Sequence, residues 1–168
     1  MTPTDTANEV LPNYIYQALE EVWAGASGSS VESDVLELKE DPSRLPQASQ
    51  GARANLIEKL IDESVCFANS DVSEGYILLG VSDRQRGPAA FTGTDFETDD
   101  LERKIYQGTV PNLRVEALVA MYRGVRILCI RIPECLTLYT CTRGQASRRV
   151  NTDCVPLNEA DRRSIAAS

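Results

Sequence analysis

One short apolar segment places the strongest constraint on how this chain folds. Residues 76–81, Tyr-Ile-Leu-Leu-Gly-Val, are almost entirely apolar, and Gly75 and Ser82-Asp83 bound them. A run this short, with turn-forming residues at both ends, favours a strand over a helix. Because the run lacks the polar alternation of a half-exposed strand, it predicts a buried strand at the centre of a sheet.

Other segments carry the patterns of helices and further strands. The strongest helix signal spans Ala52 to Ala68, where apolar residues form one stripe at helical spacing. Further helices are predicted over residues 13–24, 99–106 and 158–166. Strands are predicted over residues 35–39, 90–92, 114–122, 125–132, 138–141 and 147–150, with turns at Arg123-Gly124 and Arg143-Gly144. The mixture predicts an α+β fold, a two-layer α/β sandwich with a mixed sheet and a hairpin-rich C-terminal half.

The chain divides at a segment of small residues. Residues 24–30 contain only Ala, Gly and Ser, a composition that breaks the first helix and is typical of a linker. We therefore predict an N-terminal helical extension and linker over residues 1–29 and one main domain over residues 30–168. A chain of 168 residues is long enough for one domain with a substantial core.

The absence of histidine excludes several kinds of site. Neither a Ser-His-Asp nor a Cys-His pair can form, and no zinc site can use imidazole. The phosphate-binding patterns GxxxxGK[ST] and GxGxxG are also missing. No apolar run reaches the length of a membrane helix, and the first ten residues lack the features of a secretory signal. These features predict a cytoplasmic protein without membrane contact.

The cysteines show no pairing pattern. Their number is odd, and no two have CxxC spacing: Cys66, Cys129, Cys135, Cys141 and Cys154. A disulfide framework and an all-cysteine zinc site are therefore not expected. We expect reduced thiols that serve mostly as small core residues in a cytosolic protein.

Charge is unevenly distributed along the chain. Residues 1–100 carry 6 basic and 19 acidic side chains, whereas residues 101–168 carry 11 basic and 6 acidic ones. The net charge of −8 disfavours nonspecific binding to nucleic acid, so phosphate contact requires a local arginine face. We expect that face to include Arg143, Arg148 and Arg149. The alternative is that these arginines contact no phosphate and only keep an exposed hairpin edge from aggregating.

Four short blocks resemble, in order and spacing, the motifs of one family. They are residues 32–39 (family pattern E-S-x-x-x-E-F-K), 64–70 (I-C-A-F-A-N-T), 75–83 (G-G-Y-L-L-I-G-V-D-D) and 148–159 (R-x-G-S-x-x-x-P-A-S-x-E-E). The family is the Schlafen/AlbA-like domain, also catalogued as a divergent AAA domain. Two positions depart from its pattern. Glu74 replaces the first glycine of a pair, and Asn151 replaces a glycine but tolerates the same left-handed backbone.

The resemblance implies a domain that binds DNA or RNA, often as part of a bacterial transcriptional regulator. In animal relatives a set of carboxylates cleaves structured RNA, and by position that set is Glu32, Glu37 and Asp83, with Lys39 beside them. Three carboxylates are able to hold Mg²⁺ or Mn²⁺, which activates water against a phosphodiester. Glu32 joins the others only if the chain bends at Ser33-Asp34. The plain alternatives are turn residues for Glu32 and Asp83 and a salt-bridged strand face for Glu37 and Lys39.

These observations leave three hypotheses about function. The first, which we favour, is a noncatalytic nucleic-acid-binding regulatory domain. The second is an endoribonuclease that uses Mg²⁺ or Mn²⁺ at Glu32, Glu37 and Asp83. The third is a protein-interaction module without nucleic-acid contact that forms a homodimer through residues 13–24, and the net charge of −8 supports it.

Overall fold

The computed structural model describes residues 5–167, and its central strand is the apolar segment singled out above. β2 spans Gly75–Leu79, and every residue in it is buried. It pairs in parallel with β1, Leu36–Lys39, and antiparallel with β5, Val125–Ile132. Neighbours on both sides satisfy its backbone groups within the sheet, as burial requires. The predicted central strand is confirmed.

A tight hairpin adds the fourth strand of this sheet. β4, Glu116–Tyr122, pairs antiparallel with β5, and the order of strands is β1-β2-β5-β4. Arg123 and Gly124 join the two strands with φ angles of 47° and 81°. Positive φ at both positions matches the twist of the flanking strands. One parallel and two antiparallel pairings make the sheet mixed, and the predicted α+β class is confirmed.

Two helices cover one face of the sheet. α4 spans Ala52–Ala68, as its apolar stripe predicts, and α5 spans Thr98–Gln107. Both pack on the side of β2 that carries Ile77 and Leu79. Side chains alternate across a strand, so this cluster takes every second residue of β2. The sheet and these helices form the predicted α/β sandwich.

The N-terminal segment adds a layer on the opposite face. α1 spans Ala7–Val10 and α2 spans Asn13–Trp23, which confirms the predicted first helix. The buried side of α2 joins one cluster with alternate residues of β2: Ile15, Ala18, Leu19, Val22, Tyr76 and Leu78. The apolar side of α2 is therefore occupied by its own sheet.

Shorter elements make up the rest of the second half. β3, Thr109–Val110, pairs with β6, Thr140–Cys141. β7, Ser147–Val150, pairs with β8, Asp153–Pro156, in a separate two-stranded hairpin. All four residues of β8 are exposed. This hairpin is joined to the body of the protein by side chains rather than by the main sheet.

Two strand predictions are wrong. Residues 138–141 do not pair with residues 147–150, although the turn at Gly144 forms and its N–H donates to the Cys141 carbonyl at 2.9 Å. The second strand instead pairs with β8, because Asn151, at φ 58°, closes a tight turn directly after it. Residues 90–92 form no strand beyond one bridge between Val81 and Phe91, and the preceding residues form a 3₁₀ helix, Gly87–Ala90.

Two further α-helices, together with a 3₁₀ helix at Pro42–Arg44, complete the described chain. α3, Gly28–Val31, is one turn at the end of the predicted linker. α6, Glu159–Ala166, begins where predicted, because the Asn158 side chain accepts a hydrogen bond from the Asp161 N–H at 2.8 Å. Within residues 5–167, every helix is too short or too polar for a membrane span.

The expectation that all cysteines are reduced is wrong for two of them. Cys66 of α4 and Cys154 of β8 form a disulfide across a sequence separation of 88 residues. Cys129, Cys135 and Cys141 are free, and Cys129 and Cys141 are buried as predicted. No spacing pattern marks the bonded pair, because the packing of the hairpin on α4 brings its members together.

Candidate functional site

The predicted carboxylate of β1 lies on the sheet face under α4. Leu36 and Leu38 point to the N-terminal helices, so the alternation of the strand turns Glu37 and Lys39 to the other side. Glu37 is only 8% exposed. A carboxylate this deep requires a partner, since an isolated buried charge is costly.

That partner is Arg149 of β7, whose side chain is 1% exposed. Its Nη1 lies 2.9 Å from Glu37 Oε2, and its Nε and Nη2 donate to the carbonyls of Ser33 and Leu36 at 2.9 Å each. Its guanidinium carbon lies 4.7 Å from the centre of the Phe67 ring. Arg149 was predicted to contact phosphate, but in this structure its donors face the interior.

A second acid, which was not among the predicted site residues, joins this network. Glu63 of α4 lies 3.5 Å from Lys39 Nζ through Oε1 and 3.9 Å from Arg149 Nη1 through Oε2. Lys39 Nζ also lies 3.9 Å from Glu37 Oε1. Burial raises the pKa of Glu63, and the charge of Glu37 adds to the shift. Glu63 directly precedes the block at residues 64–70, which is the one signal that points to it.

Glu32 reaches the same network through a bend. The Ser33 N–H donates to the Leu36 carbonyl at 3.1 Å, and this turn brings Glu32 back beside β1. The Leu38 N–H donates to Glu32 Oε2 at 2.9 Å, and the charge of Glu37 acts on the Glu32 carboxyl group. Burial, together with the charge of Glu37, raises the pKa of Glu32 to about 8. The bend that the sequence required at Ser33-Asp34 is present.

Asp83 lies at the edge of this group. Its charge adds to the upward shift in the pKa of Glu32, but its side chain is 44% exposed and lies 3.9 Å from Arg84 Nε. Its position is set by α3, because the Ser29 N–H donates to the Asp83 carbonyl at 2.8 Å. Gly28 permits this close approach, since a Cβ there would lie 2.4 Å from the Ser82 carbonyl oxygen. The chain thus holds Asp83, a short way beyond the end of β2, against the segment that leads to Glu32.

The three predicted metal ligands are neighbours, but their ligand atoms do not all lie within 4.8 Å of one another. Among residues 5–167, the set of three carboxylate or thiol ligand atoms that come within 4.8 Å of one another is Glu63, Cys66 and Cys154, not Glu32, Glu37 and Asp83. Both oxygens of Glu37 also face cations. As arranged, the Glu32, Glu37 and Asp83 donors do not fit Mg²⁺ or Mn²⁺, which need several oxygen ligands around one point.

The other two predicted arginines lie on the outside of α4. Arg143 is 47% exposed and lies 3.4 Å from Glu58 and 3.1 Å from Asp62. Arg148 is 33% exposed and lies 2.7 Å from Asp71, which follows α4. Arg162 of α6 donates to the Gly144 carbonyl at 3.0 Å, so a third guanidinium lies at the turn that carries Arg143. These three groups are called the α4-side arginines below.

The remaining cations of the second half do not join them. Most lie within 4.0 Å of an acid, on elements spread over the molecule: Arg103, Lys104, Arg123, Arg131 and Arg163. Arg123 pairs with Glu20 on the N-terminal side of the sheet, opposite α4. The expected single arginine face is therefore reduced to the α4-side arginines.

The chain is similar to one known protein family and to two solved structures. The chain matches a family model described as Schlafen, AlbA_2 over residues 32–158. The DIP2311 protein from Corynebacterium diphtheriae is 22% identical with a TM-score of 0.64, and the match covers 88% of this chain but only 30% of that one. The N-terminal domain of a RecG-related protein from Nitrosomonas europaea is 18% identical with a TM-score of 0.43, over 70% of this chain and 71% of that one. No curated protein matches the chain.

Proposed function

The chain belongs to the Schlafen, AlbA_2 family, and we propose that it is a nucleic-acid-binding regulatory domain without catalytic activity. The ligand class follows from what the family resemblance implies. The observation that carries the proposal is the position of the α4-side arginines. Arg162 donates to the turn that carries Arg143, Arg143 pairs with Asp62 of α4, and Arg148 pairs with Asp71, just after α4.

The ion pairs of these arginines leave them able to bind phosphate. Exposed ion pairs contribute about 0–1 kcal/mol, so a phosphate is able to replace the carboxylate partner. The guanidinium fork then makes two parallel hydrogen bonds to phosphate oxygens. Contacts of this kind position a nucleic acid without reading its sequence. The overall charge of −8 makes the binding local and strongly dependent on salt.

Binding to short duplexes tests the proposal. We expect the protein to shift the fluorescence anisotropy of a labelled RNA or DNA duplex at low salt and less so at moderate salt. The Arg143→Ala/Arg148→Ala variant should bind more weakly. The slope of the logarithm of its binding constant against the logarithm of the salt concentration should be shallower by about 2, because two phosphate contacts are lost.

A matched control separates contact from net charge. The Arg103→Ala/Arg123→Ala variant removes two exposed, ion-paired arginines from other parts of the surface. It should bind like the unchanged protein. No binding at low salt, or equal weakening in both double variants, would contradict the proposal.

One observation favours the second hypothesis, the endoribonuclease. Burial and the charges of Glu37 and Asp83 raise the pKa of Glu32, and a carboxyl group with a raised pKa beside other acids is common at catalytic sites. Because the donors do not fit a metal, we propose that the acids serve the structure. We expect no cleavage of structured RNA with Mn²⁺. Cleavage by the unchanged protein that Glu37→Gln abolishes would establish the endoribonuclease instead.

A further inference from the structure

The chain brings two sulfurs and one carboxylate together at a place that the proposed function does not use. Glu63 and Cys66 lie three residues apart on one face of α4. Cys154 reaches them from β8, and Glu63 Oε2 lies 3.3 Å from Cys154 Sγ. In the disulfide form neither sulfur carries a proton to donate, so this close contact gives the carboxylate nothing to accept.

We propose that Glu63, Cys66 and Cys154 form a Zn²⁺ site when the disulfide is reduced. The three ligand atoms already lie within 4.8 Å of one another. Tetrahedral zinc with Zn–S bonds of about 2.3 Å places its sulfurs roughly 3.8 Å apart, so the two sulfurs must separate by about 1.7 Å from their bonded distance. Two thiolates and one carboxylate are a ligand set that zinc accepts, and a fourth position remains for water.

The surroundings suit the charge of this site. Two thiolates and a carboxylate exceed the charge of Zn²⁺ by one, and Lys39 and Arg149, which also pair with Glu37, lie 3.5 and 3.9 Å from Glu63. A cavity of about 400 Å³ opens beside Cys154, between α4, the β7–β8 hairpin and α6. It offers the ion a path from solvent to the sulfurs.

The conversion of the disulfide into the zinc-bound form conserves atoms and electrons. A dithiol reductant breaks the S–S bond and becomes a cyclic disulfide, while the two protein sulfurs gain two electrons and two protons. Zn²⁺ then binds the two sulfurs and displaces both thiol protons to solvent. Oxidation removes the site, because a disulfide sulfur is not a thiolate ligand.

Cobalt titration tests the proposal, since Co²⁺ replaces Zn²⁺ and absorbs light through its sulfur ligands. The full chain is reduced with a dithiol, freed of reductant without oxygen and titrated with Co²⁺. We expect sulfur-to-cobalt absorption that saturates at one equivalent and disappears when Zn²⁺ is added. The oxidised protein should show none.

Variants identify the ligands. Cys154→Ser, on the exposed strand β8, should lose the one-to-one binding, and Glu63→Gln should keep the sulfur absorption but weaken the affinity about tenfold or more. Cys135→Ser removes a free cysteine outside the site and should behave like the unchanged protein. Reduced protein without sulfur-to-cobalt absorption, or binding that Cys154→Ser leaves unchanged, would overturn the proposal.

Discussion

At the scale of residues, two adjacent arginines have opposite environments. Arg149 is enclosed and holds Glu37, whereas Arg148 pairs with Asp71 at the surface. Alternation along β7 is the cause, because successive side chains point to opposite faces of a strand. The same side chain at two neighbouring positions of one strand is therefore expected to contribute differently to stability.

The Arg149→Met variant should lower the free energy of unfolding by about 3–5 kcal/mol, because it leaves the Glu37 carboxylate buried without its cation. Arg148→Met should change it by no more than about 1 kcal/mol, since its pair is exposed. Urea unfolding measures both. Adding Glu37→Gln to Arg149→Met should recover most of the loss, and equal losses in the two single variants would refute the assignment.

Glu32 gives the stability a pH dependence. Its pKa rises from an ordinary 4.5 to about 8 on folding, so the folded state holds the proton more tightly than the unfolded chain. The stability that this proton confers is complete below pH 4.5 and is lost as the pH rises towards 8.

Compared with Glu32→Gln, the unchanged protein should therefore lose about 1–2 kcal/mol of its free energy of unfolding between pH 4.5 and about pH 8, and no more at higher pH. The figure is small because the side chain is half-buried and solvent screens its charge. Urea unfolding at a series of pH values measures the difference. Parallel curves for the two proteins would show that Glu32 does not carry the effect.

How far the site was predictable differs by residue. Glu32, Glu37, Lys39 and Asp83 came from short blocks, and the structure places them in one neighbourhood. The inward position of Arg149 was not predictable, because it depends on a contact with a segment more than 100 residues away. Local patterns report which face of a strand a side chain takes, but not what lies opposite.

At the scale of elements, the same limit applies to the strands. The hairpin of β4 and β5 was predictable because Arg123-Gly124 marks its turn locally. The partner of β7 was not, since turns at both of its ends offered two choices. The disulfide between α4 and β8 escaped prediction for a related reason, because it records how the hairpin packs.

Disulfides are uncommon in cytosolic proteins, where they are mostly transient. The cytoplasmic location therefore stays a prediction, and in that compartment Cys66 and Cys154 would spend time as thiols.

Reduction of this disulfide should lower the free energy of unfolding by about 2–5 kcal/mol, because the bond closes a long loop in the unfolded chain. Urea unfolding with and without a reductant measures the change. Cys154→Ser should be insensitive to the reductant, whereas Cys135→Ser should respond like the unchanged protein. An unfolding midpoint that does not move on reduction would show that the bond contributes no stability.

At the scale of the whole molecule, the N-terminal helices are part of the core. α2 covers a sheet face that would otherwise expose Tyr76, Leu78 and their neighbours. A homodimer through residues 13–24 stays a prediction, and it would have to use the outer side of α2, where Tyr14 is 54% exposed.

A chain that lacks residues 1–29 should unfold or aggregate. Each large apolar side chain that α2 buries contributes about 1.5–3 kcal/mol, and several of them together approach the net stability of a domain. Sedimentation velocity and circular dichroism measure the outcome. A truncated chain that stays folded and monomeric would show that the extension is a separate unit.

The long separation between Ser33 and Arg149 has a consequence for synthesis on the ribosome. Glu37 of β1 leaves the exit tunnel well before the arginine that neutralises it, which follows 116 residues after Ser33. Until then Glu37 has no cation from the hairpin and must remain hydrated. We therefore expect this corner of the molecule to form only after Arg149 has left the ribosome.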